Sequence, residues 1–414
     1  MNKFNNTILF ISFSVFGLSD NLISPLQKII IFLFLITLFI INSKDKNFTT
    51  SFFSDKFTTF FTYSYFIFFI GLIISSIFAG FANISESLLY AGLWLLKLSL
   101  LINLSRKVEC YKLLRYFALS ISLSSILNIL TNRELMQNIL LIRFIKTFLN
   151  SGGSFRTSIE AYHPNQLAAI FGFIILFLIF RLIEKLLINK NLKLNFRSIL
   201  IEISYICLIF FSFAILIISS SRSVFLAILT VIALTFLTFI RLDKKNIQRN
   251  LIISTIIIFI GSKLINFNSI FLINDQYRGI GTGLTGRIDI FSILIDRLSF
   301  LGMGYLDEPS KYIGYGYHNS YLSVLSQSGL VFGSFIIFSI FFITYILVKL
   351  FMNPKLNKEY FCLLFFMPYL LIHNIFESHL LGMTSIDSFV FIFIIYGRFI
   401  IGNNIKHRYL KNQN

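Results

Sequence analysis

The run TGRIDIFSILIDRLSFLGMGYLDEPSKYIGYGYHNSYLSVLSQSGLVFGSFIIFSIFFITYILVKL, residues 285–350, holds the two textures from which this chain is built. Its second part, 322–350, is an apolar run longer than the ~20 residues a helix needs to cross a bilayer. Its first part is polar and mixed. Thr285-Gly286-Arg287 opens it, and an amphipathic segment leads to Leu301-Gly302-Met303-Gly304. His318-Asn319-Ser320-Tyr321-Leu322 then enters the apolar run. A polar segment bearing Arg, Asp and His between two spans is where chemistry is expected.

The apolar texture recurs along the whole chain. Spans are expected near 8–19, 27–42, 58–80, 88–104, 113–131, 165–186, 199–219, 222–241, 250–267, 322–350, 359–377 and 384–402, about twelve by the length rule. Hydrophobic residues make up 56% of the chain and charged residues 13%, where a soluble domain carries about 25% charged. Mean hydropathy is +0.80. The fold class is therefore all-α, a polytopic membrane protein with about 12 transmembrane helices and an extracytoplasmic loop carrying an amphipathic helix. Residues 1–414 read as a single membrane domain. The first span, after Lys3, reads as uncleaved, because no small-x-small site follows Gly17-Leu18-Ser19. Cys110, Cys207 and Cys362 are far apart, which indicates neither a disulfide framework nor a thiolate metal site.

The net charge of +18 invites a nucleic-acid reading that its distribution removes. Basic residues gather on alternate loops: Lys44, Lys46 and Lys56; Arg106, Lys107, Lys112 and Arg115; Arg181 to Arg197; Arg241 to Arg249; Lys349 to Lys358; and Arg398 to Lys411. This is the positive-inside pattern. It sets both termini in the cytoplasm and implies an even number of spans. Two long segments, 132–164 and 268–321, then lie outside, and loops of that length are usually functional or disordered.

Arg222 lies in Ser219-Ser220-Ser221-Arg222-Ser223, at the outer junction of two spans. Such an arginine either reaches for the headgroups or clamps an anion, helped by hydroxyls and by N–H groups at a helix start. Arg287 opens an amphipathic helix. Ile288, Phe291, Ile295 and Leu298 recur at helical spacing, opposite Asp289, Ser292, Asp296 and Ser299. Thr285 is the expected N-cap, and Asp289, Asp296 and Arg297 read as a solvated face. A cation in the first turn opposes the helix dipole; an anionic ligand at that end would account for Arg287.

Asn319 or Ser320 is placed to cap the helix that follows. His318 is either an interface residue or a general base near neutral pH. Arg156, Glu160, His163 and Asn165 precede another span, with Pro164 suited to a first helical position. His373, Asn374, Glu377 and His379 stand at the outer end of a further span, His373 and Glu377 four apart on one helix face. Such types also bind zinc, but no compact ligand motif accompanies them, so no metal is expected. Lys97, mid-span and one turn from Trp94, is either a snorkelling lysine or an intramembrane ion partner. Several Arg and His at one boundary suit an anionic lipid-linked substrate, since guanidinium groups bind phosphate bidentately.

On these residues the chain resembles the O-antigen ligase and O-antigen polymerase family of bacterial envelope glycan enzymes. The resemblance rests on Ser221-Arg222-Ser223, Thr285-Gly286-Arg287, Leu301-Gly302-Met303-Gly304 and His318-Asn319-Ser320-Tyr321-Leu322, with Gly329 and Gly333 after them. The Arg156…His163-Pro164-Asn165 and His373…Glu377 segments are also similar. The similar region runs over about 155–380 and includes the outer loop 268–321. It departs from the family pattern at Phe291, Leu306 and Phe332, where Trp, Gly and a small aliphatic residue are commoner.

The resemblance implies a metal-independent glycosyltransferase of the GT-C type that uses no cofactor. Such enzymes move a glycan from an undecaprenyl-diphosphate carrier at the periplasmic face of the inner membrane. A ligase transfers it to lipid A-core; a polymerase transfers it to a second carrier-linked repeat unit. The resemblance further implies that Arg222 and Arg287 bind the diphosphate and that His318 activates or orients the acceptor hydroxyl. Arg156, His163, Asn319, His373 and Glu377 are then expected at the substrate. The expectation is a ligase, with a polymerase as the alternative. A transporter or flippase for a lipid-linked anionic glycan would need polar groups through the bilayer, where Lys97 is the charge clearly placed mid-span. A non-catalytic partner in an envelope assembly complex is a further class.

Overall fold

A computed structural model describes residues 3–18, 22–43, 50–51, 53–79, 84–131, 164–184, 196–219, 221–242, 287–305, 318–354, 358–378, 380 and 382–399. Apart from one two-residue pairing, this part of the chain is helical. The helices are α1 (Lys3–Ser14, continued by a 3-10 turn at Val15–Gly17), α2 (Pro25–Asn42), α3 (Asp55–Ala79), α4 (Ile84–Lys107), α5 (Cys110–Thr131) and α6 (Pro164–Ile183). They continue with α7 (Phe196–Ser219), α8 (Arg222–Leu242), α9 (Arg287–Asp296), α10 (Ser320–Met352), α11 (Lys358–Phe376) and α12 (Ile386–Tyr396). β1 (Thr50–Ser51) pairs antiparallel with β2 (Arg398–Phe399).

Among the described residues, seven helical stretches are long and apolar enough to cross a membrane: Pro25–Asn42, Asp55–Ala79, Ile84–Lys107, Cys110–Thr131, Asn165–Ile183, Ser320–Met352 and Glu359–Phe376. Shorter apolar stretches occupy Phe4–Gly17, Ile203–Phe213, Ser223–Thr238 and Ile386–Tyr396. Every expected span meets a helix except 250–267, which lies outside the described residues. Against the expectation of about twelve crossings, seven helices of full crossing length stand among the described residues.

The departure is clearest at α12. Its 11 residues rise about 16 Å, roughly half of the ~30 Å hydrocarbon core. All of them are buried, the mark of a central helix rather than a lipid-facing one. It packs against α4, α5, α6 and α11. The rings of Phe389 and Phe393 meet Phe13, Phe16, Phe32 and Phe117 at centroid distances of 4.6 to 5.7 Å. Aromatic packing of this kind adds to the burial of each ring.

A helix that starts inside a bundle leaves the backbone before it in need of partners. Ser388 Oγ lies 2.9 Å from Gly382 O and 2.8 Å from Ser385 O, and Lys97 adds a donor from α4. Its Nζ donates to the Met383 carbonyl at 2.8 Å, the Ser388 hydroxyl at 2.6 Å and the Gly382 carbonyl at 3.4 Å. It lies over the Phe389 ring at 4.1 Å and the Trp94 ring at 4.9 Å. Lys97 is fully buried, so it does not snorkel. Its hydrogen-bond partners are neutral, so the ion-partner reading gives way as well: Lys97 fastens α4 to the segment before α12.

A second irregularity divides α10. The helix breaks at Gly329 (φ 77°, ψ 170°), and the backbone of residues 299–304 fills the break. Met303 N–H donates to Ser326 O at 2.7 Å and Gly304 N–H to Gln327 O at 2.8 Å. In return Leu330 N–H donates to Ser299 O at 2.9 Å and Val331 N–H to Phe300 O at 3.3 Å. Two carbonyls before the break and two N–H groups after it are so paired by protein backbone. α3 runs along α10 behind the junction, and Ser75 Oγ donates to Leu301 O. Leu301-Gly302-Met303-Gly304 therefore has a structural task in this fold.

α9 forms as expected and packs on α10, but its buried side differs. Leu294 is fully buried, whereas Ile295 is 54% exposed. The apolar stripe centres one residue earlier than a pattern through Ile295 would place it.

Candidate functional site

Three segments far apart in the chain meet at the start of α10. Asn319 caps that helix: its side-chain oxygen accepts from Tyr321 N–H and Leu322 N–H, each at 2.9 Å. Its amide donates to the Ile375 carbonyl at 2.9 Å, which ties the cap to the end of α11. Ser320 is not the cap. Its hydroxyl lies 2.7 Å from Asn374 Oδ1 and 2.9 Å from the Glu377 carbonyl, and it accepts from Leu380 N–H at 3.1 Å.

Glu377 stands one residue past the end of α11. Four residues after His373, it stands at the C-cap position, and its side chain meets different partners from those of His373. The carboxylate is buried. Oε1 accepts from Asn165 Nδ2, on the first turn of α6, at 2.8 Å. Oε2 lies 3.9 Å from His318 Nδ1, beyond hydrogen-bond length but within reach of a charge interaction. The His318 side chain is 37% exposed. With Nδ1 toward the carboxylate and its proton there, Nε2 keeps a lone pair for chemistry. A carboxylate that orients one imidazole nitrogen and leaves the other as base is the arrangement used in acid–base catalysis.

His373 faces the other way. It is fully buried, and its Nδ1 lies 2.7 Å from Asp387 Oδ2. Asn374 Nδ2 donates to the same oxygen at 2.9 Å, and Tyr369 stacks on the imidazole at 5.5 Å. His373 therefore belongs to the packed interior behind the His318–Glu377 pair. Sequence reading missed Asp387, although an acid inside an expected span is a signal in its own right. It also missed Asn165 as the partner of Glu377.

Neither a family model, nor a curated protein, nor a solved structure matches this chain. The site is therefore defined by its geometry alone. His318, Asn319, His373 and Glu377 are brought to one neighbourhood by α10, α11 and the turn after α11. Arg222 and Arg287 each begin a helix, α8 and α9, and their side chains lie outside the described residues. α8 packs on α11 and α9 packs on α10, the two helices that flank the His318–Glu377 pair. Beside Arg222 the hydroxyls of Ser221 and Ser223, both buried, are 3.2 Å apart. Arg156, Glu160, His163, His379 and the expected cap Thr285 lie outside the described residues. Among the described residues no group of three or more His, Cys, Asp or Glu is arranged to hold a metal ion, and the three cysteines are free thiols.

Proposed function

We propose that this membrane protein is a lipid-linked glycan transferase, acting as an O-antigen ligase on lipid A-core. The observation that supports it best is the meeting of His318 and Glu377 between helices on which two arginine-headed helices pack. In this reading Arg222 and Arg287 hold the diphosphate of the undecaprenyl carrier. The acceptor hydroxyl gives its proton to His318 Nε2 as its oxygen attacks the anomeric carbon of the donor sugar. The bond from that carbon to the diphosphate oxygen breaks, and the diphosphate leaves with the electron pair. The guanidinium groups meet the charge that develops there. Glu377, held by Asn165, steadies the imidazolium that forms. The arginines supply the positive charge, so the reading calls on neither metal nor cofactor. The site is taken to face the periplasm, with both termini in the cytoplasm.

A transporter of the same lipid-linked anion is the competing reading. Asp387 and His373 join Lys97 among buried groups, so interior polarity exceeds what the sequence suggested. Their hydrogen bonds run to one another, to amides, hydroxyls and backbone, which supports a packed core over a pathway.

The test is a transfer assay with purified protein, an undecaprenyl-diphosphate glycan and either lipid A-core or a second carrier-linked unit. Transfer to lipid A-core, lost in His318→Ala, is the expected result. Transfer to the second carrier-linked unit alone would make the protein a polymerase. Movement of labelled donor across vesicles without transfer would make it a transporter. EDTA is expected to leave transfer unchanged.

A further inference from the structure

Behind the site lies a chain of buried contacts that begins at Asp387 and ends at the Glu377 carbonyl and at Ser320, two residues after His318. Asp387 is the second residue of α12. One of its oxygens, Oδ2, serves two neighbours in the last turn of α11, His373 Nδ1 and Asn374 Nδ2, at 2.7 and 2.9 Å. That grip sets the rotation of the end of α11, and Glu377 follows three residues after Asn374. The far side of the Asn374 amide, Oδ1, takes the Ser320 hydroxyl at 2.7 Å. Ser320 is the first residue of α10, two after His318, and its hydroxyl also touches the Glu377 carbonyl and the Leu380 N–H. Asp387 is itself held in register. Lys97 binds the next residue, Ser388, and the carbonyls of Gly382 and Met383.

We infer that Asp387 is a positioning residue for the His318–Glu377 pair, acting through Asn374 and Ser320. This rests on the transferase reading for its kinetic consequence, though not for its geometry. Asp387 is fully buried and none of its contacts given above is with His318 or the Glu377 carboxylate. Its influence therefore arrives as placement of two backbone segments, one carrying the base and one carrying its orienting carboxylate. Buried networks of this kind act as units, and a double-mutant cycle separates that behaviour from independent packing losses.

The experiment is a cycle of Asp387→Ala, Ser320→Ala and the double variant in full-length protein, read in two ways. In the transfer assay each single variant is expected to lower kcat about 10-fold with the donor KM within about 2-fold, and the double variant to be no worse than either single one. Losses that add, or that fall on donor KM, would overturn the inference. The second readout needs no turnover: carbethoxylation of His318 by diethyl pyrocarbonate, followed by peptide mass spectrometry. The rate at His318 is expected to change about 3-fold or more in both single variants and equally in the double, as coupled sites require. If the wild type transfers to neither acceptor, the transferase reading fails, and His318 labelling alone decides the positioning. Unchanged labelling in both variants would then sink it. Should Asp387→Ala not yield folded protein, Asn374→Ala takes its place in the cycle under the same criteria.

Discussion

Gly302 and Gly329 lie backbone to backbone, each with positive φ, 81° and 77°. A β-carbon on Gly302 would fall on Gly329 N and Gln327 O; one on Gly329 would fall on Phe300 O, Leu301 C and Gly302 N. The obstructing atoms are backbone, which cannot swing aside. The close approach is what lets residues 299–304 close the break in α10.

Alanine at either glycine is therefore expected to destabilise the protein by about 2–4 kcal/mol, from left-handed strain and loss of the docked backbone together. Thermal unfolding in detergent would measure this. The double variant is expected to lose less than the sum of the two, because one junction is broken in each case.

His318→Ala is expected to lower transfer by roughly 10²–10⁴-fold, the usual contribution of a positioned acid–base group. Glu377→Gln keeps the size of the side chain and removes its charge. It is expected to lower kcat by roughly 10-fold or more through a misoriented imidazole, with little change in unfolding temperature. Steady-state kinetics on the two variants would check both, and a Glu377→Gln protein as active as wild type would remove the orienting role.

Asn165→Leu is expected to leave the buried Glu377 carboxylate short of the donor that now reaches Oε1 at 2.8 Å. A buried charge deprived of a hydrogen bond costs about 1–3 kcal/mol or more. The change is expected to lower both stability and transfer, and calorimetry beside the transfer assay would show whether the two move together.

Lys97→Met keeps an unbranched chain of similar reach but takes the ammonium donor from the Met383 carbonyl, whereas the Gly382 carbonyl keeps the Ser388 hydroxyl and the Ser385 N–H. The expected loss is about 1–3 kcal/mol, for the Met383 carbonyl deprived of this donor. Phe389→Ala, beneath the same ammonium and within the ring cluster of α12, is expected to cost about 3–5 kcal/mol through cavity formation. Thermal unfolding of the two variants would test them; a neutral Lys97→Met would show that other groups hold the segment before α12.

Much of the candidate site could be seen in the chain, though not its internal order. His318, Asn319, His373 and Glu377 stand out as polar residues at the edges of apolar runs, and they do gather in one place. What spacing could not reveal is that His373 turns inward to Asp387 while Glu377, past the helix end, turns to Asn165 and His318. Four residues of separation sets two side chains near one helix face but does not choose their partners, which α6 and α12 supply here.

The sequence by itself determined the membrane character, the helical class and the approximate position of most apolar helices. Those follow from transfer energies that each residue carries wherever it sits, so a run of Phe, Ile and Leu is sufficient to read them. Only the tertiary structure decided that α10 is two helices meeting at Gly329, that α12 is short and wholly enclosed, and that Lys97 is a fastening. Irregular backbone inside an apolar bundle survives only if its N–H and C=O groups find partners. Here several of those partners come from elsewhere in the chain, residues 299–304 for the break in α10 and Lys97 for the Met383 carbonyl, while Ser388 of α12 itself serves Gly382 O and Ser385 O. No local pattern in 320–352 or 386–396 records the distant ones.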